Sequence, residues 1–236
     1  MEVAPGPLLA AMPLHAVTAT YGEAGLRQRL AVEMQSFLDN ERCSAGQALT
    51  LASRLHADDR RQREPYVNHL LRVAIRIISH YGIHDADVVC AALLHDAVED
   101  HAGGLAADGS QQAALAALAA EFGSRVADLV AAVTNPQFQP GRDHNEQYRE
   151  HVATSLERCP WARVIKISDF TDNGAGLIHY SGPNLSRLAA RYAPLVPVLR
   201  ELIARPDTPL SDQVKSRIQE QLDQAAQQFA AILAPG

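Results

Sequence analysis

The chain has 236 residues with 21 Lys and Arg against 27 Asp and Glu, so a net charge of −6 speaks against binding nucleic acid through overall charge. Apolar residues make up 47% but aromatics only 5%, so Ala, Leu, Val and Ile must fill the core. Cys43, Cys90 and Cys159 are odd in number and form no CxxC, which excludes a disulfide framework and reads as reduced thiols in a cytoplasmic protein. No apolar run is long enough to span a bilayer, and the opening lacks the basic start of a signal peptide, so no membrane association is expected.

Residues 1–21 are rich in Ala, Pro and Leu without clear periodicity and read as a flexible N-terminal arm; residues 22–236 read as a single domain. From Glu23 a helical stripe runs through Leu26, Leu30, Met34, Phe37 and Leu38. Ser44 is placed to cap a second helix carrying Ala48, Leu51, Ala52 and Leu55. Asp58 to Pro65 is a charged surface loop. A third helix follows Pro65 and is expected to stop at Gly82. Asp85 can cap a fourth, ADVVCAALLHDAVED, apolar round most of its circumference and so buried.

QQAALAALAAEF, stopped by Gly123, and SRVADLVAAV are the fifth and sixth helices, and NEQYREHVATSLE the seventh. ARVIKISDF fits helix or strand by period alone, and its helical neighbours decide for helix. Helices over about 186–204 and 211–233 close the chain. The expected architecture is an all-α bundle of roughly nine helices.

Four metal-ligand types stand out: His69, His95, Asp96 and Asp169. His95 and Asp96 follow the apolar run AALL, where an ionisable pair must be paired, hydrogen-bonded or metal-bound. A His-Asp dipeptide alone is more often a surface accident than a site, the run AALL before it brings the two readings level, and a lone His69 in an amphipathic helix is ordinarily a satisfied core or boundary residue. Glu99 and Asp100 lie one turn beyond His95 and Asp96, where carboxylates suit metal-assisted hydrolysis. Their bland alternative is a solvated helix C-terminus, which the helix dipole disfavours.

The ordered set His69, His95-Asp96, Asp169 resembles the metal-binding pattern of the HD superfamily. RQREPYVNHLLRVA resembles the R-K-S-G-E-P-Y-x-x-H-P-x-x-V-A block of the (p)ppGpp-hydrolase domain of RelA/SpoT enzymes and small alarmone hydrolases. AALLHDAVED, EFGSRVADLVAAVT, VIKISDFTDN and YAPL are similar to further blocks of that family in the same order, over about residues 55–195. The resemblance implies an HD-domain fold, with His69, His95, Asp96 and Asp169 holding one divalent ion, Mn²⁺ by family. It implies Glu99 and Asp100 as the catalytic acids, and Arg60, Arg61 and Asn173 as substrate contacts. His56 and Lys166 fall in matching blocks and take supporting roles. His80, His84, His101, His144, His151 and His179 match none and read as ordinary polar residues.

The implied reaction is removal of the 3′-pyrophosphate of ppGpp or pppGpp, giving GDP or GTP. About forty residues after YAPL leave no room for the family's synthetase domain, so synthesis is not expected. Leu70, Arg63 and Phe170-Thr171-Asp172 depart from the family's proline, glycine and R-L-H. Two alternatives stay open: an HD phosphohydrolase for an adenine alarmone, a 3′-phosphorylated nucleotide or a deoxynucleotide, and a catalytically silent nucleotide-sensing HD domain.

Overall fold

A computed structural model describes residues 3–61, 64–173 and 184–234. Gln62, Arg63 and His179, which figure in the sequence expectations, lie outside the described residues. Among the described residues the chain forms thirteen α-helices, one 3₁₀ turn and a two-residue antiparallel β pair, so the fold is all-α as expected. They divide into two compact units, Met1–Thr134 and Asn135–Gly236.

The first unit contains α1 (Gly6–Ala11), α2 (Leu14–Glu33), α3 (Asp39–Leu55), α4 (Val67–Ser79), α5 (Ala86–Leu94), α6 (Ala97–Leu105), α7 (Gln111–Phe122) and α8 (Ser124–Val133). Its centre is α4 and α5. Leu70, Leu71, Val73, Ala74, Ile75 and Ile77 of α4 are fully buried, and Val88 through Leu94 of α5 nearly so. α5 packs against α3, α4 and α8, and α4 also against α2, which is why α5 is apolar on every side.

Local signals place the ends of these helices. Gly82 adopts φ 69° and its N–H donates to Ile78 O at 3.1 Å, while Ile83 N–H donates to Ile77 O, a left-handed stop beyond α4. The Asp85 carboxylate accepts from the N–H groups of Asp87 and Val88 and caps α5.

Three expectations are corrected here. The stretch expected to be a loose arm is largely helical, with Leu9, Leu14 and Val17 buried and the Arg29 guanidinium donating to Leu9 O. Its burial lacks periodicity because prolines divide it into short pieces. α3 starts at Asp39, not at Ser44: Asp39 and Glu41 occupy its first turn, where the dipole favours acids. The continuous helix expected over ADVVCAALLHDAVED breaks at His95-Asp96 into α5 and α6.

The second unit contains α9 (His144–Arg158), α10 (Pro160–Asn173), α11 (Leu185–Tyr192), α12 (Leu195–Ala204) and α13 (Asp212–Leu233). α12 packs against α9, α10 and α13, and α13 also against α11. Arg163 of α10 is fully buried and donates to Asp207 Oδ1 at 2.7 Å, Thr208 Oγ1 at 2.8 Å and the carbonyls of Leu156 and Glu157. A buried guanidinium is tolerable only with such a complete set of acceptors.

Candidate active site

The break between α5 and α6 is what builds the site in the first unit. His95 ends α5 and its Nδ1 sits 2.8 Å from Ala92 O. A carbonyl only accepts, so Nδ1 carries a proton and Nε2 is the nitrogen that remains to bind a second proton or a cation. That Nε2 lies 3.0 Å from Asp96 Oδ2, and Nε2 of His69, from α4, lies 3.7 Å from the same oxygen. The three ligand atoms fall within 4.8 Å of one another. His69 and His95 are buried and Asp96 is half-buried, so the cluster faces outward through its carboxylate.

A basic nitrogen against a carboxylate oxygen at 3.0 Å needs a positive charge between them, either a second ring proton or a cation. Two imidazoles and a carboxylate suit a divalent first-row ion, and the backbone bond to His95 Nδ1 is the orienting contact such ligands ordinarily have. The residues present therefore fit a metal.

Tyr66 organises the surroundings. Its hydroxyl donates to Asp96 Oδ2 at 2.7 Å, its ring meets His69 edge-on at 5.6 Å, and its other contacts are the His56 ring, stacked at 4.6 Å, and the Arg61 guanidinium at 5.6 Å. Burial foremost, with the Asp96 charge behind it, raises the Tyr66 phenol, so it stays a donor. Tyr66 carried no assigned role in the sequence; its position three residues before His69 was the available signal.

Glu99 and Asp100 lie in the first turn of α6, at a helix N-terminus and not at a C-terminus. The dipole therefore favours them there, which removes the electrostatic objection to their being ordinary helix residues. Burial, followed by the charges of Asp96 and Glu99, pushes the Asp100 carboxyl up to about 6. A divalent cation nearby would pull it back down. Arg60 and Arg61 pair with Pro65 and Glu64 across the β strands β1 (Arg60–Arg61) and β2 (Glu64–Pro65). Arg60 is exposed and donates to the carbonyls of Ala57 and Asp59 at 3.2 and 3.0 Å.

Asp169 and Asn173 belong to the second unit, one turn apart on α10. Asp169 is buried; Lys166 Nζ donates to its Oδ2 at 3.0 Å and the Asn173 amide to its Oδ1. The convergence found in the first unit thus comprises His69, His95 and Asp96 of the four expected ligands.

Residues 48–158, a little under half of the chain, match a family model described as an HD domain, and the described residues form an all-α fold. The chain is similar to several guanosine-3′,5′-bis(diphosphate) 3′-pyrophosphohydrolases. It is 36% identical over 106 residues to a guanosine-3′,5′-bis(diphosphate) 3′-pyrophosphohydrolase of Danio rerio, covering 44% of this chain and 51% of the relative. The human protein of that name is 35% identical over 127 residues, covering 52% and 63%. An Aquifex aeolicus guanosine-3′,5′-bis(diphosphate) 3′-pyrophosphohydrolase is 30% identical over 154 residues, covering 63% of this chain and 20% of the relative. The chain thus spans between half and two thirds of the length of these animal relatives. A solved structure described as a metazoan ortholog of SpoT that hydrolyzes ppGpp superimposes with a TM-score of 0.60 at 25% identity, covering 81% of this chain and 97% of the other.

Proposed function

We propose that the chain is a metal-dependent phosphohydrolase that removes the 3′-pyrophosphate of guanosine alarmones, converting ppGpp or pppGpp to GDP or GTP and pyrophosphate. The observation that carries this reading is the His69–His95–Asp96 cluster with two carboxylates one turn along α6, in a chain similar to enzymes of that activity. Degradation without synthesis is the activity proposed for these residues. Asp169 is proposed as a fourth ligand, a role that rests on the resemblance of VIKISDFTDN to the family block. The ion is proposed to be one Mn²⁺; affinity alone does not select manganese, and the family resemblance does.

When bound, such an ion polarises a phosphoryl oxygen and makes a water acidic near neutral pH. Glu99 and Asp100 would orient the attacking water and take its proton as it adds to the phosphorus nearer the ribose. The bond from that phosphorus to the ribose 3′ oxygen breaks, and the oxygen leaves with a proton as a hydroxyl. Arg60 and Arg61 neutralise phosphate charge, since a guanidinium donates two parallel hydrogen bonds to phosphate oxygens. Asn173 contacts the nucleotide in this reading. A cytoplasmic location is proposed from the odd number and wide spacing of Cys43, Cys90 and Cys159 in the sequence; no helix among the described residues is long and apolar enough to cross a membrane.

Incubation with ppGpp and Mn²⁺, followed by anion-exchange separation, tests the reading. GDP and pyrophosphate are expected, with no turnover after chelation and Arg60→Ala lowering kcat/KM far more than Arg63→Ala. Release of single phosphate, or cleavage of deoxynucleotides with ppGpp untouched, would move the substrate to another nucleotide. The Phe170-Thr171-Asp172 departure makes that the outcome to look for first.

A further inference from the structure

A second convergence of ligand atoms lies in the first unit and shares no residue with the first. His56 follows the last turn of α3, Asp59 comes three residues later, and His101 belongs to α6. Asp59 Oδ2 is 2.7 Å from His56 Nδ1 and 2.6 Å from His101 Nε2. The His56 ring is held between Tyr66, stacked at 4.6 Å, and His101, edge-on at 4.5 Å. Packing thus sets the orientation of both imidazoles before any ligand arrives.

The backbone is arranged to bring these groups together. α6 leaves helical geometry at His101, with φ −134° and ψ 34°. At Gly104 an added Cβ would stand 2.6 Å from Leu55 Cδ2, the tip of a flexible side chain, so α6 runs close to the end of α3 there. His56 is buried, while the Asp59 and His101 side chains are 35% and 26% exposed, which leaves the cluster open to solvent on one side.

Two imidazoles and one carboxylate with a solvent-facing side form the donor set of a late first-row ion, zinc above all. Ligand atoms each about 2.0 Å from a tetrahedral ion stand roughly 3.3 Å apart, so an opening of roughly 0.6 Å would admit one. Asp59 can supply it, because it sits in the segment after α3 and is partly exposed. Burial lowers the His56 imidazole despite its bond to Asp59, which keeps the ring neutral as a ligand must be.

We propose that His56 Nδ1, Asp59 Oδ2 and His101 Nε2 form a second metal site that takes Zn²⁺ with water completing the coordination. The ion replaces the two N–H···O bonds by coordinate bonds, and each ring proton moves to the other nitrogen of its imidazole. Its role is structural: it ties α6 to the segment carrying Arg60, whose side chain already bonds Asp59 O. The site is independent of which nucleotide the protein hydrolyses.

The test uses the full chain, stripped with chelator, titrated with Zn²⁺ alone by calorimetry, and assayed for bound zinc after dialysis. His95→Ala isolates the second site. One equivalent of Zn²⁺ is expected in His95→Ala, none in His95→Ala/His101→Asn, and one again in His95→Ala/His101→Cys, where a thiolate replaces the imidazole. Thermal melts check that each variant folds cooperatively. If His95→Ala does not fold, the unsubstituted chain and His101→Asn are compared instead, and a loss of one equivalent is expected. A folded His95→Ala that binds no zinc, or a zinc content unchanged by His101→Asn, would overturn the proposal.

Discussion

Tyr66 and the two carboxylates of α6 do different work around one cluster, and substitution separates them. The Tyr66 hydroxyl donates to Asp96 Oδ2 at 2.7 Å, the orienting kind of contact whose loss commonly costs 10–100-fold in metal affinity. Tyr66→Phe is therefore expected to weaken metal affinity by about 10- to 100-fold while the fold survives, measured by competition against a chelating dye. Glu99 and Asp100 lie one turn on and act in this reading on a proton. Glu99→Gln and Asp100→Asn are expected to lower kcat by about 10²- to 10⁴-fold with metal content unchanged. Full turnover in both amide variants would reduce them to ordinary first-turn residues, a reading the helix dipole now permits.

At the level of elements, the ends of α5 matter most because its last turn presents His95. Asp85 caps its start and also pairs with Arg125 of α8 at 2.6 Å. Burial would raise the Asp85 carboxyl, but the Arg125 bonds and the Val88 and Asp87 N–H groups outweigh it and hold the group below its ordinary value. A depressed folded value stabilises the protein above the unfolded value of about 3.9 and is lost as pH falls through the folded one. Asp85→Ala is expected to cost about 1–2 kcal/mol near neutral pH, read from urea unfolding. Below about pH 4 the native protein should lose stability more steeply than the variant.

For the whole molecule, the N-terminal helices belong to the core of the first unit. Leu9 is fully buried, as is Val17, and Arg29 reaches back to the Leu9 carbonyl. Leu9→Ala is expected to destabilise by about 2–5 kcal/mol, the range for truncating a buried leucine. A shift in the urea midpoint too small to resolve would restore the picture of a loose arm. The second unit has its own buried centre in Arg163, whose hydrogen bonds hold the Asp207 carboxyl down at about 2. Asp207 thus contributes stability above about pH 4 that fades toward pH 2, and Asp207→Asn should remove that slope.

The all-α class, the stop at Gly82, the caps at Asp85 and the helical state of ARVIKISDF were all legible in the chain. Each depends on local chemistry: apolar period, a left-handed glycine, a side-chain acceptor beside free N–H groups. The residues of the His69, His95 and Asp96 cluster were legible too, because imidazole and carboxylate side chains beside apolar runs stand out in the chain. What local signals could not carry was the break at His95-Asp96. The residues on both sides favour helix, and at the interruption the His95 Nδ1–H donates to the Ala92 carbonyl. Nor could periodicity reveal that Asp59 and His101, forty-two residues apart, share one oxygen's surroundings. That meeting depends on α6 packing against α3, a contact made only when helices distant in the chain come together.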